Sequence, residues 1–165
     1  MEHSKSDYLI DNVYLTLDTG TRQEIIDLWT GERVLDLVSA KQRVNEVVCT
    51  IRNPQGRLIG VNTVYPDTFQ ADGNRYYFMR AFIQKSERGV WGLILSVLHT
   101  TVGFLKEHGN AAERPEGIIM AVENKKLWRK GAHHQLKKHG WTFLGAGPRG
   151  NQIWYVRFDG LPLPC

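Results

Sequence analysis

The junction around residue 84 constrains this chain more than any other feature. Arg75-Tyr76-Tyr77-Phe78-Met79-Arg80-Ala81-Phe82-Ile83 is dense in aromatic and β-branched residues and reads as a buried strand. Gln84-Lys85-Ser86-Glu87-Arg88-Gly89-Val90-Trp91-Gly92 follows as a polar turn with two glycines three apart, and an apolar run then reaches Leu105. Strand, glycine turn and helix in that order bring unpaired backbone N–H groups to one point, with the positive end of a helix dipole behind them. Such a corner can bind a phosphate or pyrophosphate. It can equally be a plain tight turn into a core helix.

The rest of the chain supplies elements around this junction. A strand is expected over 12–17, ending at Asp18-Thr19-Gly20. Thr21 has capping-box spacing to Glu24 and is expected to start a helix carrying Ile25, Ile26, Leu28 and Trp29, with a second short helix over 39–46. Val47 to Ile51 and Leu58 to Tyr65 read as a hairpin around the turn at 52–57, and 66–74 reads as a loop. The apolar stripe Leu93, Ile94, Val97, Leu98, Thr101, Val102 and Leu105 predicts a helix over 90–108. Beyond it come an interior strand over 118–122, a basic helix over 124–139, and a last pair of strands at 141–144 and 152–158. The order is β-α-α-β-β-β-α-β-α-β-β, a mixed α/β fold with a central sheet and flanking helices. The helical crossovers on either side of strand 118–122 imply that it runs parallel to strand 75–83, with the glycine turn at the carboxyl edge.

At 165 residues the expectation is one domain over 1–165, with a core from 12 to 158 and a flexible tail over 159–165. No run of about eighteen apolar residues is present, so no membrane span is expected. Met1 to Asp7 lacks the apolar region of a signal peptide. Cys49 sits among apolar neighbours and reads as a core residue, while Cys165 ends the tail, a usage that suits a reducing, cytoplasmic setting. The net charge of +4 divides unevenly: residues 1–40 hold three basic and eight acidic side chains, and residues 41–165 hold eighteen and nine. That polarity can steer an anionic ligand toward the C-terminal part.

With these elements placed, the chain resembles the GCN5-related N-acetyltransferase superfamily over residues 12 to 158. The resemblance lies in the order and size of the elements, in Asn124 just past strand 118–122, and in Gly140-Trp141 at the end of the following helix. It implies that coenzyme A, carried as acetyl-CoA, binds at the end of strand 75–83 and the turn after it. Main-chain groups of Ala81, Phe82 and Ile83 would hold the pantetheine arm. The N–H groups of Arg88, Gly89, Val90, Trp91 and Gly92 would meet the phosphates, with Lys85 and Arg88 adding charge and Asn124 completing the set. The family's loop pattern, aligned on Gly89, becomes Ser86-Glu87-Arg88-Gly89-Val90-Trp91, with tryptophan at a position usually tiny; aligned on Gly92, it starts at Gly89 and ends at Ile94. The tyrosine often found five residues before the terminal aromatic is Leu136 here.

The implied activity is N-acyl transfer, most simply acetyl transfer, by direct attack of an amine on the thioester. The acceptor is a small-molecule or macromolecular amine, at a site built from the helices between 21 and 46, the 66–74 loop and the final hairpin. Proton transfer then needs a side chain. Tyr76 and Tyr77 point to opposite faces of their strand, so that one of them can face the acceptor, and Tyr77 is the candidate. Tyr65, at the end of the preceding strand, is a second, and each has aromatic packing as its plain alternative. His133 and His134, in the basic helix, can titrate near neutrality, and His134 is the third candidate. Glu87 lies close to where the phosphates are expected and does not read as the base. The histidines at 99, 108, 133, 134 and 139 have no zinc spacing, so no metal is expected.

The segment from Asn124 to His139 carries Lys125, Lys126, Arg129, Lys130, Lys137 and Lys138 and no acid. It can attract the 3′-phosphate of coenzyme A, form a solvated face, or bind nucleic acid with Trp128 as an apolar anchor. Because such a helix would begin beside the expected cofactor cleft, which already uses part of its charge, the sequence reading does not favour nucleic acid. A different class remains open: a non-catalytic nucleic-acid or protein binding module on a degenerate acetyltransferase fold, or an acyltransferase-like enzyme modifying nucleic acid.

Overall fold

A computed structural model describes residues 7–90 and 92–163. Among the described residues, seven strands and four α-helices follow one another in the expected order: β1 Leu9–Asn12, α1 Thr19–Gly31, α2 Leu37–Arg43, β2 Val47–Arg52, β3 Leu58–Thr68, β4 Arg75–Ile83, α3 Leu93–Glu107, β5 Gly117–Val122, α4 Lys130–Lys138, β6 Thr142–Ala146 and β7 Gln152–Arg157. The strands form one mixed sheet in the order β1-β2-β3-β4-β5-β7-β6. Among the described residues, no helix is long and apolar enough to cross a membrane.

The described residues form two compact units, 7–64 with 81–90 and 92–101, and 65–80 with 102–163. In the first, β1 and β2 pair antiparallel from Leu9↔Arg52 to Asn12↔Cys49, and β2 pairs antiparallel with β3. Ile25, Ile26 and Trp29 of α1 pack with Ala40, Val44, Val47, Leu58 and Val61. A second cluster joins Tyr8, Ile51, Ile59 and Ile83 to Leu93 and Val97 of α3. In the second unit, β4 and β5 run parallel, with Tyr77↔Ile118, Phe78↔Ile119 and Met79↔Met120 in register. Strand β7 pairs antiparallel with both β5 and β6.

Several expected boundaries move for local reasons. The first strand lies at 9–12, not 12–17, because the chain turns back at Val13–Thr16, where Leu15 takes φ 61°. Asp18, not Thr21, caps α1: its carboxylate accepts the Thr21 N–H at 2.9 Å and the Thr21 hydroxyl at 2.7 Å. The same device recurs at Asp36, which accepts the Ser39 N–H at 2.9 Å and starts α2 two residues early. Strand β3 continues through Pro66 to Thr68, into the region expected to be a loop. The basic helix over 124–139 is broken: a 3₁₀ turn spans Lys125–Trp128, Arg129 is extended at φ −72° and ψ 151°, and α4 starts at Lys130. The tail is anchored as far as Leu163, whose N–H donates to the Tyr155 hydroxyl at 3.2 Å and whose side chain packs on Tyr76, Ile119 and Tyr155.

Candidate functional site

The corner after β4 is built by close backbone approach. A Cβ on Gly60 would stand 2.6 Å from the Phe82 carbonyl oxygen and 3.2 Å from the Ile83 Cα, so only glycine lets β3 lie against this end of β4. The Gln84 N–H donates to the Ile59 carbonyl at 2.8 Å. Phe82 and Gln84 therefore use the β3 side, and the backbone groups of Ala81 and Ile83, one residue out of phase, face the opposite edge. The register of β4 with β5 stops at Met79.

Beyond Ile83 the chain makes a 3₁₀ turn over Lys85–Glu87 and enters α3 through Gly92, at φ 75°. The Val90 N–H closes onto the Glu87 carbonyl at 3.3 Å, and the Leu93 N–H onto the Val90 carbonyl at 3.3 Å. Among the described residues, the N–H groups of Arg88, Gly89 and Gly92 have no backbone carbonyl partner. They stand at the start of a 15-residue helix, whose dipole adds positive potential. Lys85, Arg88 and Gly89 are exposed. Arg88 bends back: its Nε donates to the Ile83 carbonyl at 2.7 Å, and its guanidinium lies 5.7 Å from the centre of the Phe82 ring. One nitrogen thus ties turn to strand and the other two are available to an anion. Trp91 lies outside the described residues.

This donor set fits a phosphate, and the turn that carries it is held in place by Glu87, which acts here as an anchor and not as a base. Glu87 turns inward, with a side chain 15% exposed. Its Oε2 accepts the Tyr8 hydroxyl at 2.5 Å, and its Oε1 lies 3.5 Å from Asn53 Nδ2 and 3.7 Å from Arg57. Burial, and then the carboxylate, push the Tyr8 hydroxyl up to about 12. Tyr8 and Glu87 are 79 residues apart, and nothing local marks the pair. Gly60, by contrast, carried a signal: a lone glycine inside a strand pattern marks a close approach.

The second unit holds the other candidates, and it does not bring them together into one cluster of described contacts. Tyr77 is 6% exposed and packs on Phe158 at 6.4 Å between ring centres. Tyr76 is fully buried and donates to Asp72 at 2.7 Å, which, with its burial, holds its hydroxyl well above the ordinary tyrosine range. Tyr65 is half-buried, stacked on Phe78 at 5.6 Å, with the Arg80 guanidinium 4.6 Å from its ring centre. His134 is exposed on α4. His133 packs edge-on against Trp154 at 4.8 Å, and its Nε2 lies 2.8 Å from Gln152 Oε1. Because that oxygen only accepts, the His133 Nε2 carries the proton. Asn124 caps the 3₁₀ turn, its Oδ1 accepting the Lys126 N–H at 3.0 Å.

A concavity of about 490 Å³ opens in this unit past the end of β5, lined by Glu123, Lys125, Trp128, Arg149, Gly150 and Asn151. The sequence pattern marks only its Lys125–Trp128 side. The remaining wall comes from the glycine-rich connection between β6 and β7.

No family model matches the chain, and no curated protein sequence does. Solved structures match along almost its whole length. A GCN5-related N-acetyltransferase from Kribbella flavida is similar with a TM-score of 0.60 at 12% identity, covering 93% of this chain and 99% of that one. A ribosomal-protein-S5-alanine acetyltransferase from Vibrio fischeri matches with a TM-score of 0.60 at 12% identity, over 94% and 96% of the two chains. A spermidine N-acetyltransferase chimera with sequence from Vibrio cholerae gives 0.55 at 13% identity, over 93% and 96%. The chain thus has the fold of the GCN5-related N-acetyltransferases.

Proposed function

We propose that this protein is a coenzyme A-dependent N-acyltransferase, most simply an acetyltransferase acting on an amine. The observation that carries the reading is the corner after β4, where the N–H groups of Arg88, Gly89 and Gly92 lack backbone partners at the start of α3. Those groups, with Lys85 and the outer nitrogens of Arg88, are the donors assigned to the phosphates. The backbone of Ala81 and the N–H of Ile83, on the edge of β4 away from β3, are assigned to the pantetheine amides. Acetyl-CoA, when bound, supplies the activated acyl group. The protein's part is to hold the two reactants in line and to accept the amine proton.

Tyr65 is the side chain we assign to that proton, since it is half-buried and Tyr77 is spent on packing with Phe158. His134 is exposed on α4, and we give it no role. A cytoplasmic location follows from this reading, because acyl-CoA donors are held there. Calorimetric titration with acetyl-CoA tests the proposal. A dissociation constant of about 1–100 µM is expected, and a folded sample that does not bind at about 1 mM overturns it.

A further inference from the structure

We propose that the concavity past β5, together with the basic surface around it, binds single-stranded nucleic acid by taking one base against Trp128. From Asn124 to Phe158 the chain has eight basic residues and no acidic one. Arg157 is engaged by Asp159 at 2.6 Å and Glu116 at 3.3 Å. The other seven, Lys125, Lys126, Arg129, Lys130, Lys137, Lys138 and Arg149, are all exposed, and among the described residues none forms an ion pair. The break at Arg129 separates Lys125 and Lys126 from α4, and Lys125 lines the concavity opposite Arg149 of the β6–β7 connection. A solvated helix face does not explain a surface shared by a turn, a helix and a loop that carries these seven cations beside the single lining carboxylate of Glu123.

The cavity itself points to a base and not to an acidic peptide. The Trp128 Nε1 donates to the Val122 carbonyl at 2.9 Å, which fixes the indole while its half-exposed ring lines the cavity. Asn151 Oδ1 is buried without a partner and sits where a Cβ on Gly147 would be, 2.1 Å away, so its amide NH₂ is the end turned from that wall. Glu123 adds the one carboxylate. A fixed aromatic plane, an amide donor, a carboxylate acceptor and two flanking cations match a stacked base, its amine-bearing edge and the phosphates on either side. A duplex cannot present that edge with an open face, so a single strand is the ligand. The site stands apart from the acyl-transfer reading and holds whether or not acetyl-CoA binds.

Fluorescence anisotropy with labelled single-stranded DNA, single-stranded RNA and duplex DNA of about twenty nucleotides tests this. A single strand should bind more tightly than about 1 µM at about 50 mM salt, with affinity falling steeply as salt rises. The tighter of the two single strands identifies the natural polymer. Trp128→Ala should weaken single-strand binding about tenfold with the salt slope unchanged, whereas Gln at Lys125, Lys126, Arg129 and Lys130 together should flatten that slope. Adenine- or cytosine-rich strands should outcompete thymine- or uracil-rich ones, and Glu123→Ala, which removes the acceptor, should erase the difference. If Trp128→Ala does not fold, Lys125→Gln with Arg149→Gln, both at exposed positions, must weaken binding at least as much. The proposal is overturned if the folded protein binds no strand at 10-fold higher concentration, about 10 µM. It is also overturned if duplex or poly-glutamate competes as well as single strands, or if coenzyme A displaces the strand and so claims the cavity as its own.

Discussion

The Tyr8 hydroxyl donates to Glu87 Oε2 at 2.5 Å, tying the segment before β1 to the turn before α3. The bond holds a carboxylate inward, away from the anion site proposed at Arg88. Tyr8→Phe should therefore cost about 1–2 kcal/mol in denaturant unfolding and also weaken anion binding at the corner. The pH dependence has a defined sign. Since the folded Tyr8 hydroxyl is raised from 10.0 to about 12, its contribution is complete below pH 10 and is lost as pH rises toward 12. Stability measured across that window should fall less steeply in Tyr8→Phe than in the parent. Parallel curves would mean that the bond is not made in solution.

Gly60→Ala places a methyl against backbone, not against a side chain that can swing away. The built Cβ meets the Phe82 carbonyl oxygen at 2.6 Å, so β3 or the end of β4 must shift. A loss of about 1–3 kcal/mol is expected, accompanied by weaker acetyl-CoA binding because Ala81 and Ile83 move with Phe82. Gly31→Ala, where an added Cβ meets nothing within 4 Å, is the control and should be close to neutral.

The elements that sequence reading placed well are those whose signal is periodic. Strand β4 at 75–83 and the parallel partner at 117–122 stand out as apolar runs, and the stripe of α3 marks its face. Caps were harder, because Asp18 and Thr21 both suit an N-terminus and only backbone geometry selects between them. The break at Arg129 was hidden by a continuous run of good helix formers in which Trp128 bonds back to Val122. The candidate site divides similarly. The glycine turn and its cations were legible as a local pattern. Glu87 was not, since its partners Tyr8, Asn53 and Arg57 come from two distant turns of the chain. Nor were Glu123 and Asn151, which become neighbours only when β5 and β7 pair at Val122↔Gln152.

A buried polar group links β2, β3 and α3. Asn62 Oδ1 accepts the Cys49 N–H at 2.9 Å, Asn62 Nδ2 donates to Thr101 Oγ1 at 2.5 Å, and that hydroxyl donates to the Val97 carbonyl at 2.8 Å. Asn62→Ala leaves the Cys49 amide without that partner, while the Thr101 hydroxyl keeps the Val97 carbonyl and the Cys49 thiol, and should cost about 1–3 kcal/mol. Burial also pushes the Cys49 thiol up to about 11. In the folded protein Cys49 should resist thiol reagents at neutral pH and react only on unfolding, as read by mass spectrometry of its peptide. Rapid labelling under native conditions would show that this core opens readily.

Gly89 gives the sharpest test of the phosphate corner. A Cβ there would meet nothing within 4 Å, and its φ lies outside the left-handed region, so the fold itself tolerates a side chain. A bound phosphate approaching the Arg88 and Gly89 N–H groups does not. Gly89→Leu should therefore leave the melting temperature within about 2 °C while weakening acetyl-CoA binding at least tenfold, about 1.4 kcal/mol. Arg88→Gln should act differently. It removes both the outer guanidinium nitrogens and the Nε bond to the Ile83 carbonyl, and so should lower affinity and stability together. Calorimetry on the two variants separates steric exclusion of the phosphate from loss of charge. If Gly89→Leu folds and binds acetyl-CoA as the parent does, the phosphates lie elsewhere and the corner is only a turn.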